Sequence, residues 1–283
     1  MIKIFISLFI SMLLASTLYA SQSTITESEG YACMGEDKSR KQTEQAAVAD
    51  AKRKAIESVS SYITSETQVK DFELQKDLVS AYANATVKVI QELEKGWYKD
   101  TTMGDCYKVK IKAEVIPDEK AMVKVAKSKQ VADDPSAPLN IQAWTDKKEY
   151  RSGEKIKIYI KGNKPFYARV LYKDVKGELL QLLPNPYRSE NYFNGGVIYE
   201  IPSGNDRFEL EVSPPFGEEN VIVYASTTPL GDINLKTQGS VYQVRTRSAD
   251  IGDKIRGVKI IEKGKGSSAS EFFEEEVVIR TEK

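Results

Sequence analysis

The spacing of apolar residues changes part-way along this chain, from every third or fourth position to every second, and that change fixes which elements each stretch can form. In "EDKSRKQTEQAAVADAKRKAIESVSSYI", residues 36–63, the residues Val48, Ala51, Ala55, Val59 and Tyr62 form one stripe with charge between them. This spacing predicts an amphipathic helix. Leu74, Leu78, Tyr82, Ala85, Val89 and Leu93 make a second stripe, which predicts a helix over 74–93 ended by Gly96. Past Gly96, "CYKVKIKAEVI" alternates Tyr107, Val109, Ile111, Ala113 and Val115 with Lys108, Lys110, Lys112 and Glu114. That pattern is a strand with one buried face. Trp97 and Tyr98 open its hairpin partner, with a turn near Met103-Gly104-Asp105, and "EGYACMG", residues 29–35, reads as a short first strand. The expected N-terminal domain, residues 21–118, is α+β: two helices on a small antiparallel sheet.

A composition shift marks the end of that domain. Residues 119–138 are Lys-rich and run into "DDPSAP", a linker with a helical turn or two followed by a hinge. From residue 139 to 283 the texture is of short alternating segments bounded by Gly, Pro or Asn: "EKIKIYIKGN", "FYARVLYKDV", "ELLQLLP", "GVIYEIP", "RFELEVSPP" and "ENVIVYAST", with "SVYQVRT", "GVKII" and "EEVVIRT" near the end. Helix signals are absent there, and the expectation is an all-β antiparallel sandwich. Within it, Asp174-Val175-Lys176-Gly177 is a turn, so "ARVLYKDVKGELLQLLP" is a hairpin whose return strand is buried on both faces for part of its length. Pro184 cannot donate to a ladder, and Pro186 reinforces the stop.

The first twenty residues are of another kind. Lys3, an apolar run from Ile4 to Leu14, then small residues and Leu18-Tyr19-Ala20 have the layout of a secretory signal peptide cut after Ala20. The alternative, a retained anchor, is disfavoured because the run falls short of the roughly 20 residues that span a bilayer. No cysteine follows closely enough to be the acylated residue of a lipoprotein. The expectation is a periplasmic or secreted bacterial protein with no transmembrane segment in the mature chain. Export makes a structural bridge the expected state of the two cysteines, Cys33 and Cys106, with a free catalytic thiol as the alternative. A loop of about 70 residues closed in this way is worth roughly 4 kcal/mol by chain entropy.

Several chemistries are closed to the sequence. It contains no histidine, which excludes Ser-His-Asp and Cys-His catalysis, His-ligated zinc and imidazole switching. The 41 Lys plus Arg balance 41 Asp plus Glu, so no overall field draws the chain to nucleic acid. Lys108, Lys110 and Lys112 could form an anion patch but read better as a solvated face that resists edge pairing. The Ala-rich first helix suits close packing on a sheet rather than lipid. Ser152-Gly153-Glu154-Lys155 has the Ser-x-x-Lys spacing of penicillin-interacting enzymes, yet it precedes a strand and lacks the companion SDN and KTG motifs. Glu274-Glu275-Glu276 reads as a solvated run flanking a strand, since the spaced acidic loop of a calcium site is missing.

Two resemblances add to this reading. "EGYACMGEDKSRKQTEQAAVADAKRKAIESVSSYITSETQVKDFELQKD", with "DCYKVKIKAEV" after it, resembles the N-terminal domain of the flagellar T-ring assembly protein and related bacterial surface lipoproteins, over residues 29–118. It implies an exported domain for envelope assembly or protein contact and carries over no catalytic residue. Tyr172, Asp174, Gly177, Leu182, Pro184 and Asn185, followed by Gly195, "YEIP", Pro215, Gly217 and "VIVYAST", resemble an uncharacterised bacterial domain of unknown function often fused to caspase-like peptidases or protein kinases, over residues 139–230. That likeness implies a β-sandwich accessory module with no established ligand.

The function expected is a non-enzymatic exported envelope protein that acts as an interaction or assembly module, with no cofactor and no metal. Its candidate contact surface is the "PNPYRSENYFNGG" loop: Asn185, Tyr187, Arg188, Tyr192 and Phe193. The alternative is a binding module for a small molecule or glycan, with Trp144, Tyr187, Tyr192 and Phe193 as stacking residues. A third is a hydrolase, which would need carboxylates that converge only in three dimensions.

Overall fold

The computed structural model of the chain describes residues 20–66, 72–126, 133–204, 206–257 and 269–283. The leader expected over 1–20 lies, apart from Ala20, outside the described residues. So do residues 127–132 of the linker and, past Gly257, the strand expected at 257–261.

The N-terminal part is a mixed α/β region. Strand β1 (Ala20–Cys33) is followed by helices α1 (Arg40–Glu66) and α2 (Phe72–Ala83), then by the hairpin β2 (Thr86–Asp100) and β3 (Gly104–Ile116), and by helix α3 (Glu119–Ala126). Helix α1 lies on β1 and β3, and the apolar side of β3 (Tyr107, Val109, Ile111, Ala113, Val115) meets Ala47, Ala51, Ala55 and Val59 in one buried cluster. The contact is close because Gly30 has no side chain: a Cβ there would lie 2.2 Å from the Ala47 carbonyl oxygen. Cys33 faces Cys106 across β1 and β3 in a disulfide, Cα atoms 3.9 Å apart, closing a loop with a sequence separation of 73. Lys108 and Lys110 stand on the opposite, solvated side, paired with Glu29 and Glu27 of β1.

Two expectations for this region are corrected. The second helix stops at Ala83, where Asn84 and Ala85 turn back onto Ser80 and Tyr82, and residues 86–100 are a strand. Register shifts between Val89 and Gln91 and between Glu92 and Glu94 each insert a residue into β2. Each insertion flips the alternation, so the apolar positions mimic helical spacing. The first strand starts at Ala20 rather than near residue 29, because its first half buries polar residues, not apolar ones. Ser23 donates to Glu114 (2.7 Å), Thr24 bonds the Tyr82 hydroxyl (3.2 Å) and Ser28 donates to the Ala51 carbonyl (2.8 Å).

The remainder is mostly β: β4 (Ile141–Thr145), β5 (Glu149–Arg151), β6 (Ile158–Gly162), β7 (Phe166–Lys173), β8 (Leu179–Leu183), β9 (Tyr192–Phe193), β10 (Tyr199–Ile201), β11 (Glu218–Ser226), β12 (Leu235–Gln238), β13 (Val241–Val244) and β14 (Ser270–Glu282). Strands β10-β6-β4 form a small sheet that packs on the inner face of β7, β8, β11 and β14 through Ile158, Ile160, Val170, Leu182, Val223 and Phe273, giving a curled, sandwich-like arrangement. Helix α4 (Ser248–Ile255) covers the outer face with Ile251 and Ile255, an element absent from the sequence expectation because it offers only these two buried positions one turn apart. "RFELEVSPP" contributes an isolated bridge, Lys155 to Glu211, rather than a strand.

The large sheet does not stop at the boundary between the regions. Its order is β12-β13-β8-β7-β11-β14-β1-β3-β2, and β1 pairs antiparallel with β14 from Ala20–Glu275 to Ile25–Ser270. Glu271 pins this seam. Its buried carboxylate accepts from the Leu139 amide (2.5 Å), the Lys164 ammonium (3.2 Å) and the Tyr62 hydroxyl (3.2 Å). The end of the expected hinge is packed: Ala137 and Leu139 are buried, and the Asn163 amide donates to the carbonyls of Asp134, Ala137 and Pro138.

The Glu274-Glu275-Glu276 run lies inside β14, not beside a strand as expected. Glu274 pairs with Arg256 and Glu276 accepts from Asn220, while Glu275 sits between Phe273 and Val277 on the core side. Burial pushes the Glu275 carboxyl up to about 7. Its folded pKa therefore exceeds the unfolded value. The stability it contributes is complete below the ordinary carboxylate range and is lost as pH rises through about 7. Urea unfolding between pH 5 and pH 8 checks this: wild type loses stability across that interval, whereas Glu275→Gln shows a flatter profile and exceeds wild type at pH 8. Parallel profiles would refute it.

Candidate contact surface

The hairpin β7–β8 turns at 174–177, where Gly177 adopts φ +81° and its amide donates to the Asp174 carbonyl (2.9 Å). The Asp174 carboxylate accepts from the Glu178 amide (2.7 Å), which fixes the start of the return strand. Leu179, Gln181, Leu182 and Leu183 are buried, so β8 is covered on both faces in part, and Gln181 accepts from the buried Arg169 (2.8 Å). Tyr172 donates its hydroxyl to Glu219, whose carboxyl is pushed up by burial.

At the end of β8 the chain folds back on Asn185. This side chain is 2% exposed and makes four hydrogen bonds. Its amide nitrogen donates to the Leu182 carbonyl (3.1 Å) and to Asp206 (3.0 Å), and its oxygen accepts from the amides of Tyr187 (2.9 Å) and Arg188 (2.8 Å). Asp206 also accepts from the Ser203 amide (2.7 Å) and pairs with Arg188 (3.2 Å). Asn185 and Asp206 thus tie two separate loop segments into one rigid unit.

The five expected contact residues, three on this unit and two on β9, divide by burial. Tyr187 is 52% exposed, with the Arg207 guanidinium 4.6 Å over its ring. Tyr192 is equally exposed and leans on Tyr167, centroids 4.9 Å apart. Phe193 is 2% exposed and packs on Phe166 and Tyr199, so it belongs to the core. Asn185 and Arg188 hold the loop. Arg207 completes the exposed surface with the half-buried Tyr167 beneath Tyr192, and no local spacing in the sequence points to Arg207, because it arrives from the far side of β10. Trp144 stands apart, on β4 beside Tyr159.

Ser152 lies in the turn after β5, and Lys155, on the bridge to Glu211 that follows it, pairs with Glu209 (2.8 Å). Among the described residues no group of three or more acidic or cysteine side chains could hold a metal ion, and no helix is long and apolar enough to cross a membrane.

One family model matches the chain, described as Domain of unknown function (DUF4384), over residues 149–229. The match takes in β5 to β11 and the whole Asn185 loop. No curated protein and no solved structure matches.

Within the matched segment, Tyr172, Asp174, Gly177, Leu182 and Asn185 each have a structural task already described. Asn185→Ala therefore strands buried partners and is expected to cost about 1–3 kcal/mol. Tyr187→Ala, at an exposed ring, is expected to stay within about 0.5 kcal/mol of wild type. Denaturant midpoints check both; equal losses would refute the division.

Proposed function

We propose that this chain is a non-enzymatic, exported protein of the bacterial envelope that docks a protein partner through the surface built from Tyr187, Arg207 and Tyr192. The observation that carries the reading is pre-organisation. Tyr187 and Arg207 project from two segments tied together by Asn185 and Asp206, and Tyr192 projects from β9 beside Tyr167; tyrosine and arginine are residue types that dominate binding hot spots. A surface fixed before contact loses little conformational entropy on binding.

Export and envelope location rest on the leader-like pattern of residues 1–20, and the Cys33–Cys106 bridge suits an oxidising compartment. The likeness of residues 29–118 to an envelope assembly domain agrees with an assembly role for the first region. In this reading the disulfide-closed region and the β-rich region act as one body, with the partner met by the second.

Affinity capture from native envelope tests the proposal. Wild type is expected to retain a specific partner that Tyr187→Ala with Arg207→Ala loses by tenfold or more, about 1.4 kcal/mol, while the melting temperature of the variant is unchanged. Undiminished capture by the folded variant would exclude this surface.

A further inference from the structure

The chain has two tryptophans at different kinds of site. Trp97 is packed against the α/β core, with Tyr107 at 5.2 Å and its indole N–H on Glu44 (3.1 Å). Trp144 is on β4, where Ile141 and Ala143 point into the sandwich core and Gln142 and Trp144 point out. On the neighbouring β6, Ile158 and Ile160 point in and Tyr159 points out, directly opposite Trp144 in register. The two rings are near-parallel, 20° between planes and 5.7 Å between centroids. Both are partly exposed, and neither belongs to a core cluster. Among the described residues neither the Trp144 indole N–H nor the Tyr159 hydroxyl has a protein partner.

The rim is polar and already neutralised. Glu200 of β10 is opposite Tyr159 on the other side, held by Lys157 (2.6 Å), which also donates to the Pro202 carbonyl (2.9 Å). Lys161 pairs with Asp133 (2.5 Å), and Gln142 is opposite Lys161 in register. The face thus combines two partly exposed rings stacked on one another with donors and acceptors on both sides, and Lys157, Glu200, Lys161 and Asp133 in its rim are paired.

We propose that this face, centred on Trp144 and Tyr159, binds uncharged pyranoside chains. A pyranose ring offers an apolar C–H face to an aromatic ring and a belt of hydroxyls that both donate and accept. Gln142 and Glu200 supply acceptors to such a belt, and Trp144, Tyr159 and Gln142 supply donors. A polyproline peptide is a poorer fit, since it presents carbonyls without N–H groups and so offers no donor to the Gln142 side-chain carbonyl. A charged glycan is a poorer fit because both lysines are paired. This face is on the small sheet and is independent of the protein-docking surface, so either assignment can fail alone.

The test is titration of the full exported chain, residues 21–283, with cellohexaose, chitohexaose, maltohexaose and mannohexaose, followed by tryptophan fluorescence and calorimetry. At least one is expected to give a saturable response that Trp144→Ala weakens about tenfold and Trp144→Phe weakens less, with unchanged melting temperatures. Tyr159→Phe, which keeps the ring and removes the hydroxyl, provides a second folded variant with intermediate loss. No saturation by any of the four at millimolar concentration, wild-type binding by Trp144→Ala, or saturation by a proline-rich decapeptide in place of the sugars would each overturn the assignment.

Discussion

The pairing of β1 with β14 is the contact on which the architecture rests. It joins the first strand of the α/β region to the last strand of the β-rich region and places both in the middle of an 11-stranded sheet. A backbone ladder alone would leave the layers above it free to shift. Glu271 prevents that by drawing α1, the segment before β4 and the segment before β7 onto one buried carboxylate through Tyr62, Leu139 and Lys164. Removing one partner from such a buried pair costs about 3–5 kcal/mol, so the clamp is strong in the sense that it is expensive to break.

The opposite face of the seam is fastened by a second cluster. Arg256, next to the end of α4, pairs with Glu114 of β3 (2.6 Å) and Glu274 of β14 (2.9 Å), and its guanidinium lies 4.3 Å over the Phe272 ring. Glu114 also accepts from Ser23 of β1. One short helix is thereby held to three neighbouring strands from both regions. The two faces of the seam use the same device, a buried charge shared among elements distant in sequence, and the disulfide secures the far end of β1 to β3.

The sequence revealed these features unevenly. The helix α1, the strand β3, the 174–177 turn and the stop at Pro184 were legible because each follows from spacing or from the conformational limits of Gly and Pro. The extent of β1 was not, because its buried positions are Ser and Thr, whose fitness for burial depends on partners such as Glu114 and Tyr82. Strand β2 was hidden by its bulges. In the contact surface, the aromatic and polar residues of one loop could be read, but their division could not. Asn185 and Phe193 turn inward because Asp206 and Phe166 receive them, and Arg207 is brought to Tyr187 by a connection the linear order does not display. Trp144 was legible as an aromatic, and its pairing with Tyr159 depended on strand register.

If the seam governs the architecture, the α/β and β-rich regions melt together rather than as separate domains. Differential scanning calorimetry of the oxidised chain measures this directly. A single transition is expected, with a van't Hoff enthalpy equal to the calorimetric enthalpy. Two resolved transitions, or a van't Hoff enthalpy well below the calorimetric one, would mean that the regions unfold independently and would contradict it.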